Sequence, residues 1–314
     1  MHYDIIGDIH GCYQTLQSLL DKLGYTQVGN TYSHPQRQVI FLGDFIDRGP
    51  YQREVIELVR AMIDSANALS VMGNHEYNAI AYYTVDPRSA SVGAYLRERD
   101  EKHNRQHQAF LDVYQHAPKA WAAVIEWFLT LPLWLDLGEL RVIHACWDKE
   151  FIARIKQFQG GSNLLSYNLL VDSSRKGTWQ YDAIETILKG KELPLPNGQH
   201  FYDKDQNKRH NIRVRWWDEN VTTFKNAHIG PESDLTHIPD DVIAGDHLVD
   251  YSRQDVPVFL GHYWLEGAPR LLASNIACVD FSVAKANGQL VAYRWDGEAQ
   301  LDAAKFVAVP RLEP

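Results

Sequence analysis

The sequence predicts an α/β fold organised on a parallel sheet, and three short stretches carry that prediction. Val39-Ile40-Phe41-Leu42 breaks at Gly43-Asp44, Ile5-Ile6 breaks at Gly7-Asp8, and Leu69-Ser70-Val71-Met72 breaks at Gly73-Asn74. A short apolar run rich in β-branched and aromatic residues, ended by glycine, is how a buried parallel strand reads at its carboxyl end. Segments of helical periodicity lie between these runs. Loops at the carboxyl ends of such strands converge on a crevice where ligands bind. Here every one of those loops opens with Asp or Asn.

Taken in order, a strand begins at His2 or Tyr3. Tyr13 to Leu23 then places Leu16, Leu19, Leu20 and Leu23 on one helical face, and Gly24 stops the helix. The polar stretch from Thr26 to Gln36 suggests a hairpin before the Val39–Leu42 strand. Pro50 suits the start of a second helix, whose stripe is Val55, Ile56, Leu58, Val59 and Met62. Residues 2–74 therefore read strand–helix–strand–helix–strand. From Glu76 to about Thr130 the pattern is mostly helical. Strands return at Leu133–Leu137 and Leu140–His144, and later at Val256–Leu260, Ser274–Asp280 and Gln289–Trp295. The span from Lys149 to Asp255 is less regular, interrupted by Gly160-Gly161, Pro194, Pro196, Pro231 and Pro239.

With 314 residues the chain is long enough for one large domain or two ordinary ones. It shows no linker, repeat or low-complexity segment, so residues 1–314 read as a single domain with a candidate substrate-side insertion at about 150–255. The formal net charge of -9 argues against nucleic acid as the main partner. Cys12, Cys146 and Cys278 are too few and too scattered for a disulfide framework, which suits a reducing compartment. A strand starting at His2 or Tyr3 leaves no room for a signal peptide, and no apolar run approaches membrane-spanning length. A cytoplasmic location and no membrane partner are expected; oligomeric state is not legible.

The strand ends point to metal chemistry. Asp8 and His10, two residues apart in an extended loop, can project to the same side. A carboxylate beside an imidazole suits Mn, Fe or Zn better than Mg or Ca. Asp44, on a neighbouring strand end, can bridge two divalent ions held roughly 3.5–4 Å apart. Asn74 adds a neutral oxygen, and His144 and His262 sit at two further strand ends. The expected ligands are Asp8, His10 and Asp44 for the first ion, and Asp44, Asn74, His144 and His262 for the second, with Mn as the leading metal.

Gly7-Asp8-Ile9-His10-Gly11, Gly43-Asp44-Phe45-Ile46-Asp47-Arg48-Gly49 and Gly73-Asn74-His75-Glu76, followed by two downstream histidines, resemble the calcineurin-like metallophosphoesterase superfamily. More closely they resemble its phosphoprotein phosphatase branch, which includes Ser/Thr phosphatases and diadenosine tetraphosphatase-related enzymes. The resemblance covers residues 4–76 and the surroundings of 144 and 262. It implies a four-layer α/β/β/α sandwich with a dinuclear site at the strand carboxyl ends. Residue by residue, it makes Arg48 and Asn74 phosphate-binding groups, His75 the acid that protonates the leaving oxygen, and Asp47 the carboxylate that orients His75. The implied reaction is direct attack of a metal-activated water on phosphorus, without a phosphoenzyme.

Two departures stand out. Gly261-His262-Tyr263-Trp264 lacks the second histidine that many nucleases of the superfamily carry, and His144-Ala145-Cys146-Trp147 lacks the usual glycine. The second phosphate-binding arginine of the branch is open: Arg213 or Arg215 could supply it, but Arg-Val-Arg-Trp also reads as an ordinary strand with one solvated face. Individually, Asp8, Asp44 and Asn74 could be mere turn residues. Trp216-Trp217 reads as core, and Cys146 as a buried thiol. The leading expectation is hydrolysis of phosphate monoesters, on phosphoproteins or small esters. The alternatives are a dinucleoside polyphosphate hydrolase and, from another class, a catalytically silent metal-dependent binding module.

Overall fold

Strand β1 (His2–Ile6) leads through the Gly7–Gly11 loop into helix α1 (Tyr13–Leu23), whose Leu16, Leu19, Leu20 and Leu23 are buried and which Gly24 ends in a left-handed turn. The polar stretch is a hairpin, β2 (Thr26–Val28) with β3 (Thr31–Ser33), ahead of β4 (Arg37–Phe41). Helix α2 (Gln52–Asp64) begins later than Pro50 suggests. The reason is local: Asp47 and Arg48 both hold positive φ, 68° and 71°, and the Gln52 side chain is used to close that turn by accepting from the Asp47 N–H at 2.7 Å and donating to the Gly49 carbonyl at 2.7 Å. Next come β5 (Ala68–Ser70) and α3 (Asn74–Tyr83). The rest of the helical region is α4 (Glu101–Gln106), α5 (Gln108–Tyr114) and α6 (Pro118–Phe128), and β6 (Trp134–Asp136) and β7 (Arg141–Ile143) follow.

The span after residue 149 is more regular than its sequence suggests. Its first part is α7 (Lys149–Phe158), α8 (Tyr167–Ser173) and α9 (Trp179–Lys189), with Gly160 and Gly161 at positive φ in the turn after α7. Only the next part is irregular: β8 (Glu192–Pro194), β9 (Phe201–Tyr202), β10 (Lys208–Arg209), β11 (Asn211–Arg213) and the single turn α10 (Phe224–Ala227) surround a small core of their own, including Leu193, Ile212, Val214 and Ile243. The chain closes with β12 (Val258–Leu260), β13 (Ile276–Cys278), β14 (Asp280–Phe281), β15 (Gln289–Trp295) and β16 (Phe306–Pro310).

This computed structural model describes residues 2–89, 91, 93–202, 208–230 and 235–314. One sheet has the order β14-β15-β1-β4-β5, with β16 on β15; a second has the order β13-β12-β7-β6. The first is mixed rather than wholly parallel: β1, β4 and β5 are parallel, while β15 runs antiparallel to β1. Side chains alternate across it. Ile5, Ile40, Val291 and Tyr293 face Val142, Phe259 and Ala277 of the second sheet. Ile6, Val39 and Phe41 lie on the other face, in one apolar cluster with the buried residues of α1 and α2. Ile143, Val258 and Leu260 belong to that same cluster together with Ile152 and Ile155 of α7 and Ile184 and Ile187 of α9. Helices, sheet, sheet, helices: this is the four-layer α/β/β/α sandwich.

That stacking places the carboxyl ends of β1, β4 and β5 beside those of β7, β12 and β13. The close approach leaves no room for side chains at one point. Gly43 has φ 84°, and a Cβ there would lie 2.2 Å from the Gly73 nitrogen, so glycine alone lets the loops after β4 and β5 touch.

Candidate metal centre

The loops after β1 and β4 are joined through their backbones. Ile9 and His10 N–H groups donate to the Asp44 carbonyl at 3.0 and 2.8 Å, Gly11 N–H to the Phe45 carbonyl at 2.8 Å, and Gly49 N–H to the His10 carbonyl at 2.9 Å. Glu76 ties in the third loop. Its carboxylate accepts from the N–H groups of Asp44 and Phe45, each at 2.8 Å, and of Gly73 at 3.0 Å. Six of the nine non-glycine residues at positive φ among the described residues lie here: His10, Asp44, Asp47, Arg48, His262 and Trp264. Such backbone strain concentrates where a site must be held in one shape.

Two groups of potential ligands result, His10–Asp44–His75 and Asp44–His144–His262, with the atoms of each within 4.8 Å of one another. Asp44 belongs to both. Its Oδ2 lies 3.7 Å from His10 Nε2, 3.4 Å from His144 Nε2 and 3.9 Å from His75 Nε2. The Asn74 Oδ1 is 2.6 Å from His262 Nδ1 and 3.2 Å from His144 Nε2. Asp8 belongs to neither group; its carboxylate accepts from the His262 backbone N–H at 3.1 and 3.3 Å, and a Cβ on Gly261 would meet its Oδ1 at 2.2 Å.

The donor set fits divalent cations. His10 Nδ1 donates to the Ile46 carbonyl at 2.8 Å and His144 Nδ1 to the Leu42 carbonyl at 2.6 Å, which fixes both tautomers with Nε2 facing inward. Buried Nε2 atoms of His10 and His262 have no hydrogen-bond partner. Burial, then the His75 and Arg48 charges, push His10 down to about 3, so it presents a neutral ring with a lone pair. Burial likewise pushes His262 well down, helped by Arg213 and His144. Four carboxylates, Asp8, Asp44, Glu76 and Asp280, are at most 1% exposed. Burial and mutual repulsion raise Asp8 and Asp280 and carry Glu76 to about 7, whereas the histidines around Asp44 outweigh its burial and hold it well below the usual range. Such a concentration of buried negative charge is unfavourable unless cations compensate it.

His75 enters at the second position of α3, with its N–H donating to Asp44 Oδ1 at 2.9 Å. Its Nδ1 donates to Asp47 Oδ2 at 2.5 Å. Arg48 is exposed and lies over the Trp264 ring, 3.8 Å from its centroid; that ring is also 5.3 Å from His10. Arg213, at the end of β11, has a buried Nε without an acceptor, and its charge acts on His262. Arg215 is exposed. The geometry thus separates the two arginines that the sequence left open.

A family model described as calcineurin-like phosphoesterase matches residues 1–266. The chain belongs to that family. It is similar to two proteins named bis(5'-nucleosyl)-tetraphosphatase PrpE (asymmetrical). The one from Halalkalibacterium halodurans is 51% identical over 76 residues, covering 24% of this chain and 31% of that protein. The other, from Oceanobacillus iheyensis, is 34% identical over 125 residues, covering 38% and 50%. The chain therefore spans half or less of the length of these relatives. In fold it is similar to a protein serine/threonine phosphatase from Saccharomyces cerevisiae, with a TM-score of 0.51 and 14% identity over 98% of this chain and 79% of that one. Members of the calcineurin-like family use divalent metals, and the buried ligand groups described above are where this member has the donors for them.

Several residues of this calcineurin-like site escaped the sequence reading. Glu76 was in plain view three residues after Gly73, the spacing of a capping carboxylate, but its reach to Asp44 and Phe45 is visible only in three dimensions. Trp264 and Asp280 are joined, the Trp264 N–H donating to Asp280 Oδ2 at 2.6 Å. His107 carried no signal. It sits between α4 and α5 in a polar stretch, yet its Nδ1 donates to Asp47 Oδ1 at 2.7 Å. No helix among the described residues is long and apolar enough to cross a membrane.

Proposed function

We infer that this chain is a metal-dependent phosphoesterase that hydrolyses dinucleoside polyphosphates of the diadenosine tetraphosphate type. The observation that carries the substrate class is the placing of cations on both flanks of the ligand groups. Arg48 lies on the His10 side against Trp264, with Lys285 Nζ 5.6 Å from the same ring; Arg213 acts on His262 at the other side. One phosphoryl group needs one such clamp, whereas a polyphosphate chain has anionic groups for both. The names borne by the two bacterial relatives favour the same substrate.

In this reading Asp8, His10, Asp44, Asn74, His144 and His262 hold two divalent ions, Mn first, which would supply Lewis acidity and an activated water. Arg48 and Arg213 bind phosphate oxygens, Asn74 faces the phosphate, and His75 delivers a proton to the leaving oxygen while Asp47 orients its ring. We read residues 1–314 as one domain. The small core around Leu193 and Ile212 is its substrate-side wall, because Arg213, next to Ile212 on β11, carries the charge that acts on His262. A cytoplasmic setting belongs to this reading, since the three cysteines are free and buried.

A second reading, hydrolysis of phosphate monoesters, is favoured by the His75–Asp47 pair, because a general acid helps most when the leaving oxygen is a poor one. Turnover by Mn-loaded protein decides between them, measured on diadenosine tetraphosphate, p-nitrophenyl phosphate, a phosphoserine peptide and bis-p-nitrophenyl phosphate. Preference for the dinucleotide is expected. Fast monoester turnover without it would move the assignment to a phosphatase, and silence on all four would leave a metal-dependent binding module.

A further inference from the structure

We propose that His107 is a positioning residue, holding the Asp47 carboxylate so that Asp47 can hold His75. The proposal rests on the phosphoesterase reading only for what His75 does. Asp47 is 3% exposed, and each of its oxygens is taken by a different imidazole: Oδ2 by His75 Nδ1 at 2.5 Å and Oδ1 by His107 Nδ1 at 2.7 Å. Burial would raise the Asp47 carboxyl, but His107 and then His75 outweigh it and hold it well below its usual range. A carboxylate held at one oxygen can turn about its terminal bond, which is a broad, soft torsion. Held at both, it can turn only if a ring moves.

The His107 ring is not free to move. It stacks on Phe110 at 4.6 Å with planes 17° apart and lies 5.3 Å from the Tyr82 ring. Its backbone N–H donates to the His103 and Asn104 carbonyls at 3.0 and 3.1 Å, and its carbonyl accepts from Leu111 at 3.0 Å. On the far side of the ring Nε2 is buried and has no partner. A side chain kept for packing alone would be better as phenylalanine, since a bare buried nitrogen carries a desolvation cost. The polar contact that offsets this cost is the one to Asp47. His75, by contrast, keeps a side chain 13% exposed, with Nε2 3.9 Å from Asp44 Oδ2, at the point where the two ligand groups meet. Order thus passes from the aromatic layer under α3 and α5, through His107 and Asp47, to the one ring that opens on the site.

The test uses His107→Phe, which keeps the stack and removes the N–H, and His107→Asn, whose amide can restore a donor near the Nδ1 position. Zinc-loaded full-length proteins would be compared on phenyl phosphate and p-nitrophenyl phosphate, and by the downfield proton resonance of the His75 Nδ1–H. For His107→Phe, kcat on phenyl phosphate should fall about tenfold with KM changed less than about twofold. The loss on p-nitrophenyl phosphate should be smaller, the His75 resonance should shift, and His107→Asn should recover most of the rate. An unshifted resonance with wild-type kcat would overturn the proposal. So would an equal loss on both esters that His107→Asn does not repair, which marks a purely structural residue. If His107→Phe does not fold, His107→Asn decides: near wild-type selectivity between the esters supports the role, and a lost resonance with equal losses overturns it. Should the wild type hydrolyse neither ester and leave diadenosine tetraphosphate uncleaved as well, the phosphoesterase reading fails, and the resonance still decides whether His107 positions Asp47 and His75.

Discussion

The two sheets contribute to the site in different ways. The loops of β1, β4 and β5 are welded to one another by backbone bonds, such as His10 N–H to Asp44 carbonyl, and by Glu76 spanning three N–H groups. The loops of β7, β12 and β13 are also joined to one another by backbone bonds, Gly261 N–H to the His144 carbonyl at 2.8 Å and Leu265 N–H to the Asp280 carbonyl at 3.1 Å, but their bonds across the centre involve side chains. His144 donates to the Leu42 carbonyl, Asp8 receives the His262 N–H, and Asp280 receives the Trp264 N–H. One half is therefore part of the fold, and the other docks against it. In the first half the ligands and the folding of the chain should prove hard to separate; in the second they should come apart.

Five substitutions would break or sharpen that contrast. Asp44→Asn should have the largest effect, because Asp44 belongs to both ligand groups: activity and both metal equivalents should be lost, as read by turnover and elemental analysis. Glu76→Gln should come next. It touches no substrate, yet it removes a buried carboxylate from three N–H donors, so thermal or denaturant unfolding should show a loss of about 2 to 3 kcal/mol, with weakened metal retention alongside. Intact stability in that variant would contradict the welded-loop account. His262→Ala should cost one metal equivalent of two, while the unfolding midpoint of the metal-stripped protein moves much less than in Glu76→Gln. Smallest, Arg213→Gln should raise KM for a polyphosphate substrate about tenfold with metal content unchanged. Arg215→Gln should do little, and equal effects from the two arginines would undo their separation by burial.

The opposite pole of the first sheet offers a reference without ligands. There Arg37 pairs with Asp4 at 2.8 Å and also with Asp296, and Lys305 pairs with Asp296 at 3.0 Å. Burial would raise Asp296, but Arg37 and Lys305 prevail and hold it down to about 2, below its unfolded value. Its contribution is therefore present above the ordinary carboxylate range and lost as pH falls toward 2. The group is 42% exposed, so solvent screening keeps that contribution small.

How much of this was legible follows the same division. The apolar runs ending at Gly7, Gly43 and Gly73 are local patterns, and α1 and β15 lie where periodicity placed them. Asp8, His10, Asp44 and Asn74 were readable because each follows its strand directly. His144 and His262 needed the family order, since a histidine at a strand end says little alone. The helices α7 to α9 are not legible in the sequence because Gly160-Gly161 interrupts them and the prolines from Pro194 onward mark the whole span as irregular, which hides the helical spacing of Ile152, Ile155, Ile184 and Ile187. Glu76, Trp264, Asp280 and His107 act across chain separations that no spacing encodes. The substrate class has no local signature in the sequence, and the names of the two similar bacterial proteins favour the dinucleoside polyphosphate alternative over the leading expectation of phosphate monoesters.

The central claim is that one centre is shared by both sheets through Asp44. It is tested most directly by titrating metal-stripped protein with manganese while recording electron paramagnetic resonance spectra. Two equivalents bound per chain, with the spectrum of an exchange-coupled pair appearing as the second enters, is the expected result. One equivalent only, or two that remain magnetically independent, would contradict it.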